Sequence, residues 1–204
     1  MDPAMFDRIR QGFGDNIRNY YRHMRANDVF ASHTVTNPQG WRAASPRRAR
    51  TTRDRRRLRV VAEDDRGVTI NGLKMLGTAS VFCHETWCGN LQPVAPGQEK
   101  ESITCVVPLN APGVSIWSRK PYERYAVSEF DNPLATRFDE TDSAVLFENV
   151  KVPWERVFCH DNVEMTRAIY MRTPGPRDGQ PPGQCALPGE AQPASSASRA
   201  SSRR

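Results

Sequence analysis

The chain has 204 residues, of which 25% are charged, with a formal net charge of +6; that length allows one ordinary domain and part of a second. The charge is local. Nine arginines against one aspartate between positions 42 and 59 give +8 and leave −2 for the remainder, which excludes a general basic face for nucleic acid. Five cysteines without C-x-x-C spacing, no apolar run of about eighteen residues, and an N-terminus MDPAMFDRIRQ lacking a signal-peptide core read as a soluble, cytoplasmic protein with reduced thiols, no metal site and no membrane partner.

From Phe13 to Val29, the residues Phe13, Ile17, Tyr20, Tyr21 and Met24 recur at steps of three and four and predict a helix, with Asp15 and Arg25 placed to suit its dipole. Little precedes it, so residues 1–31 are expected to be the last helix of an incomplete helical domain. The run FASHTVTNPQG (30–40) is a short β-branched stretch closed by turn residues, and it contains His33. By itself that histidine is either a structural hydrogen-bonding group or a functional one. Residues 41–57, WRAASPRRARTTRDRRR, have no apolar period and are expected to be disordered, because they have nothing to bury against the entropy of ordering.

Order resumes at Leu58. LRVVAED and VTINGLKML predict a hairpin whose connection is Asp64 to Gly67, and SITCVVP (102–108) and GVSIWS (113–118) are two more strands. Arg119 to Asp142 is a long connection crowded with charges and aromatics, which either folds back to line a site or is an ordinary solvated excursion. Ser143 to Val152 alternates as a strand, with Ala144, Leu146, Glu148 and Val150 on one face and Val145, Phe147, Asn149 and Lys151 on the other. Five or six strands in this span predict an antiparallel barrel or sandwich across 32–152. After Pro153 the pattern turns helical through Trp154, Val157, Val163, Met165, Ile169 and Tyr170, so 153–173 reads as the start of an incomplete helical bundle. Residues 174–204, mostly Pro, Gly, Ser and Ala, are expected to be a disordered tail. Together with the Arg-rich patch, the tail has the composition of an interrupted reading frame.

SHTVTNPQG (32–40), VVAEDDRGVTINGLKMLGT (60–78), NLQPVAPGQEK (90–100), WSRKPYERYAVSEFDNPLATRFDETD (117–142), VLFENVKVPWERVF (145–158) and VEMTRAIYMRTP (163–174) occur in that order. Together they resemble the oxygenase component of the 4-hydroxyphenylacetate 3-monooxygenase family of FAD-dependent phenol hydroxylases. The resemblance implies an acyl-CoA-dehydrogenase-like α+β fold, in which a middle β-barrel lies between two helical domains and the family assembles as a homo-tetramer. It also implies reduced FAD supplied by a separate NADH-dependent flavin reductase, O2 as co-substrate, and a phenol hydroxylated at its ortho carbon.

By the same resemblance, His33 is the catalytic histidine that contacts the phenol hydroxyl, and Thr78 stands beside the isoalloxazine, where the alternative is a threonine capping a turn. Gln39 and Gly40 fall on the cofactor-binding loop, and Leu91 and Gln92 fall on the substrate-covering loop. Trp154, Glu155 and Arg156 are expected to fix the junction between barrel and bundle. The family's other phenol-gripping residues, an arginine and a tyrosine, have no counterpart here, so the chain alone is expected to bind FAD weakly and to be inactive. The alternatives are a non-catalytic barrel acting as a binding module, an acyl-CoA-dehydrogenase-like flavoprotein acting on a thioester, and last a nucleic-acid binder.

Overall fold

The hairpin is tighter than its sequence implies. Strands β2 (Arg59–Asp64) and β3 (Gly67–Lys74) are joined by Asp65 and Arg66 alone. The Asp64 carboxylate accepts from the backbone N–H groups of Arg66 and Gly67, at 2.9 and 3.2 Å, and so makes the turn itself. Gly67 is required for a second reason: at φ 151 a Cβ there would sit 2.1 Å from the Val152 carbonyl of the neighbouring strand. The computed structural model describes residues 3–38, 57–92, 94–121, 123–138 and 141–172, so the disorder expected for 41–57 and for the tail lies outside the described residues except at Arg57, which instead bridges to Leu73 and pairs with Glu101 at 3.0 Å.

Among the described residues, eight strands form two sheets of four. One has the order β2-β3-β7-β6, antiparallel throughout, with β6 at Val114–Ser118 and β7 at Ser143–Pro153. The other has the order β1-β4-β5-β8, made of β1 (Ala31–Thr34), β4 (Glu85–Cys88), β5 (Ile103–Pro108) and β8 (Val157–His160). Here β1 runs parallel to β4, in contrast to the antiparallel expectation.

The expected closed barrel is corrected by this topology. Among the described residues the sheets are joined by a single antiparallel bridge, Thr36 to Met75. The bridge does not grow into a ladder because the chain turns off at Leu76, which has left-handed φ 60.

Two further expectations are overturned. In β7 the buried residues are Val145, Phe147, Val150 and Val152, not one unbroken alternation. The register slips between Ile70, opposite Val150, and Gly72, opposite Phe147, and Asn149 takes φ 53. That bulge inserts one residue and flips the face, so both halves of the strand point their apolar side chains inward. The residues after Pro153 do not begin a helix: Trp154–Arg156 is a single 3-10 turn, Val157–His160 pairs with β5, and only Val163–Arg172 (α4) is helical.

Helix α1 (Pro3–Asp7) packs on α2 (Phe13–Asn27), and α2 lies against the second sheet at β8. Asp7 accepts from the N–H groups of Gly12 and Gly14, at 3.1 and 2.9 Å, fixing the entry to α2. Asn16 donates to the carbonyls of Trp154 and Val157, at 2.7 and 2.9 Å, which anchors α2 on the start of β8. Tyr20 completes a cluster in which the Trp87 and Phe158 rings stack at 4.7 Å; Tyr21, expected on the apolar face, is exposed.

The long connection from Arg119 to Asp142 contains one short helix, α3 (Pro133–Arg137), and exposes Val127, Phe130, Leu134 and Phe138. By contact density the chain separates into a unit of Asp2–Arg167 and one of Met1 with Ala168–Arg204. No described helix is long and apolar enough to cross a membrane. The described cysteines, Cys83, Cys88, Cys105 and Cys159, are free thiols.

Candidate functional site

His33 lies on β1, the edge strand of its sheet, where alternation sends Ser32 and Thr34 inward and His33 outward. Its register partner is Trp87, so it stands on the face that α2 covers. The imidazole is exposed, and partial loss of hydration lowers its pKa from the ordinary histidine value, which favours the neutral ring.

The chain's other three histidines are engaged. His23 lies 3.5 Å from Glu85, His84 accepts from the Phe30 N–H at 3.0 Å, and His160 bonds Glu63 at 2.8 Å. No described residue hydrogen-bonds the ring of His33.

Thr78 sits in a strained turn between Leu76 and Ala79, both non-glycine residues in the left-handed region at φ 60 and 59. Such conformations persist where the surroundings over-determine them, and they concentrate at sites. The turn is pinned on one side by the bonds from the N–H groups of Gly77 and Ala79 to the carbonyls of Ser143 and Thr141. On the other side the Ser80 and Ser32 hydroxyls meet at 3.0 Å. Thr78 itself is exposed and donates to Asp142 at 2.5 Å, leaving its oxygen lone pairs as acceptors.

The segments carrying His33 and Thr78 therefore touch through Ser32 and Ser80, one and two residues away. The two side chains do not meet, because His33 leaves β1 by the opposite face.

Leu91 and Gln92 are exposed, and the N–H of Leu91 donates to the Val35 carbonyl at 3.0 Å, which lays that loop beside the end of β1. Gln39 and Gly40 lie outside the described residues. Trp154 donates from its indole to the Asp64 carbonyl at 3.0 Å, and Arg156 bonds the buried Glu85 at 2.7 Å, so both tie the turn before β8 to β2 and β4. Two residues of this region were not anticipated from sequence: Asp142, whose carboxylate accepts the hydrogen bond from the Thr78 hydroxyl, and the fully buried Lys74. Lys74 was signalled by phase, since Val68, Ile70, Gly72 and Lys74 share one face of β3 and the first three are core positions.

Two four-stranded sheets, one of them packed against by α2, make a mixed helix and sheet fold that carries an edge-strand imidazole and a strained turn with an exposed hydroxyl. That fold is shared, at TM-score 0.66 but only 17% identity, with an archaeal 4-hydroxybutyryl-CoA dehydratase from N. maritimus. Residues 1–159 match the family described as 4-hydroxyphenylacetate 3-hydroxylase N terminal, and the chain belongs to that family.

It is 34% identical over 161 residues to the 4-hydroxyphenylacetate 3-monooxygenase oxygenase component of Thermus thermophilus, covering 79% of this chain and 33% of the relative. It is also 34% identical over 177 residues to the FADH(2)-dependent monooxygenase TftD of Burkholderia cepacia, covering 84% of this chain and 33% of that one. A crystal structure of an HpaB oxygenase component complexed with FAD and 4-hydroxyphenylacetate aligns at TM-score 0.66 and 32% identity, over 83% of this chain and 34% of that one. The chain thus spans about a third of the length of the curated relatives it matches.

Proposed function

We propose that this chain supplies the phenol-binding histidine and one wall of the flavin site in the oxygenase component of a two-component, FAD-dependent monooxygenase. Its substrate would be a phenol such as 4-hydroxyphenylacetate, hydroxylated ortho to the hydroxyl with reduced FAD from a separate reductase and O2. The observation that carries this reading is His33, a neutral imidazole with no described hydrogen-bond partner while every other histidine is occupied. Family membership and relatives named for such reactions support it.

The residues present fit a flavin ring on one side. Thr78 offers an acceptor oxygen on a fixed turn, which suits the ring N–H of a reduced flavin, and the exposed apolar side chains of Leu76 and Phe82 suit its hydrocarbon edge. Gln39 and Gly40 would hold the cofactor from the following loop. Bound reduced FAD would supply the electrons that activate O2. The neutral His33 ring accepts the phenol O–H, which draws the proton towards nitrogen and enriches the ortho carbon in electron density. Leu91 and Gln92 cover the phenol and exclude water.

The division proposed for the chain is a helical unit at its start, a β unit that runs from β1 through β8 at His160, and the entry to a further helical unit at Val163–Arg172. With only one wall of the flavin site contributed, FAD affinity of the isolated chain is expected to be weaker than micromolar, and reductase-coupled catechol formation is expected to be undetectable. A fluorescence titration of the purified chain with FAD, alongside that coupled assay, checks both. Saturable micromolar binding or catechol product contradicts the one-wall reading.

A further inference from the structure

Lys74 is fully buried, yet no described carboxylate lies within salt-bridge distance of it. Its ammonium instead donates to two amide oxygens, Asn37 Oδ1 at 2.7 Å and Asn90 Oδ1 at 2.8 Å. The Asn90 side-chain nitrogen donates to the Glu101 carbonyl at 2.9 Å, which turns its oxygen towards the lysine. Glu101 is itself paired with Arg57 at 3.0 Å, and the thiols of Cys88 and Cys105 are the other ionisable groups facing the ammonium. A buried ammonium held by amide oxygens, with no described carboxylate in direct contact, costs stability that an apolar residue of similar volume would not, so a residue held this way does something packing alone would not require.

Its two acceptors lie on different loops. Asn37 stands two residues before Gln39, and Asn90 stands immediately before Leu91. The same two loops meet through the Leu91 N–H and the Val35 carbonyl, and the first is laid on the end of β3 by the Met75 N–H donating to Thr36 at 2.8 Å.

We propose that Lys74 is a positioning residue whose buried ammonium ties the loop after β1, at Asn37, to the loop of Asn90 that carries Leu91 and Gln92, fixing the distance between the two. Only a side chain with several donors on a flexible stem satisfies both oxygens from inside the core. The assignment of those loops to flavin and phenol rests on the function proposed above; the tether itself does not.

Amide hydrogen exchange on the intact chain tests the tether without flavin. In Lys74→Met, the amides of Met75 and Leu91 are expected to exchange on the order of tenfold faster, while the β3–β7 and β4–β5 ladders keep their protection. Asn37→Ala leaves the lysine in place and removes one acceptor at a half-exposed position, and it is expected to reproduce the loss at Met75. Unchanged exchange at both amides in both variants overturns the proposal. So does a uniform loss across all ladders, which would make Lys74 a general core residue. An intact tether in a chain whose His33 ring does not respond to millimolar 4-hydroxyphenylacetate would instead count against the proposed function.

Discussion

Replacing Phe158 with alanine is expected to destabilise the chain by about 3–5 kcal/mol, the usual cost of deleting a buried aromatic ring. The ring is completely buried in β8, stacked on Trp87 at 4.7 Å and tilted against Tyr20 at 5.7 Å. It therefore joins the edge strand β8 and the inner strand β4 to α2, and the cavity left behind is bounded by two rings, one of them carried by the helix. A domain of this size has about 5–15 kcal/mol in total, so most of the margin goes. Urea denaturation followed by tryptophan fluorescence should show the midpoint falling with the slope unchanged, and loss of α2 from the sheet would leave the face that bears His33 uncovered. A shift below about 1 kcal/mol, the scale of a surface substitution, would mean that α2 is not docked as described.

Lys74 predicts a pH signature. Burial is the main cause that lowers its pKa from 10.5 to about 8, offset in part by the Cys88, Cys105 and Glu101 charges. Between those two values the unfolded chain holds a proton that the folded chain has released, so the unfolded state binds more protons and stability rises with pH. The gain amounts to about 3 kcal/mol across the window from about pH 8 to 10.5. Below it both states are protonated and the full burial cost stands; above it both are neutral and the cost is gone. A neutral amine still donates to Asn37 and Asn90, so the tether survives deprotonation. In Lys74→Met the rise should disappear. Chemical denaturation of wild type and variant at several pH values in that window checks this, and parallel curves would contradict a buried, depressed lysine.

The elements whose patterns are local were legible in the sequence: α2 from its steps of three and four, the β2–β3 hairpin, and β5 and β6 from their β-branched runs. What the sequence concealed depends on distant partners. β8 has helical spacing from Trp154 to Val157, but its ladder with β5 lies more than fifty residues back in the chain, and that pairing overrides local preference. The face switch in β7 turns on one asparagine at φ 53, a conformation no alternation pattern reports. The closed barrel failed at a single bridge, for a reason confined to the turn at Leu76.

At the site, His33 stood out only through its likeness to a family, because an isolated histidine in a β-branched run carries no signature of its own. Its freedom from hydrogen bonds became visible only when the other three histidines were seen to be engaged. Lys74 was hidden by habit, since lysine in a strand is ordinarily a solvent-facing residue.

The central claim is that His33 receives the phenol, and imidazole NMR of the four histidines tests it most directly. With reduced FAD and millimolar 4-hydroxyphenylacetate under anaerobic conditions, the account predicts that the His33 ring resonances shift progressively while those of His23, His84 and His160 stay in place. A silent His33, or equal shifts at all four rings, would contradict it.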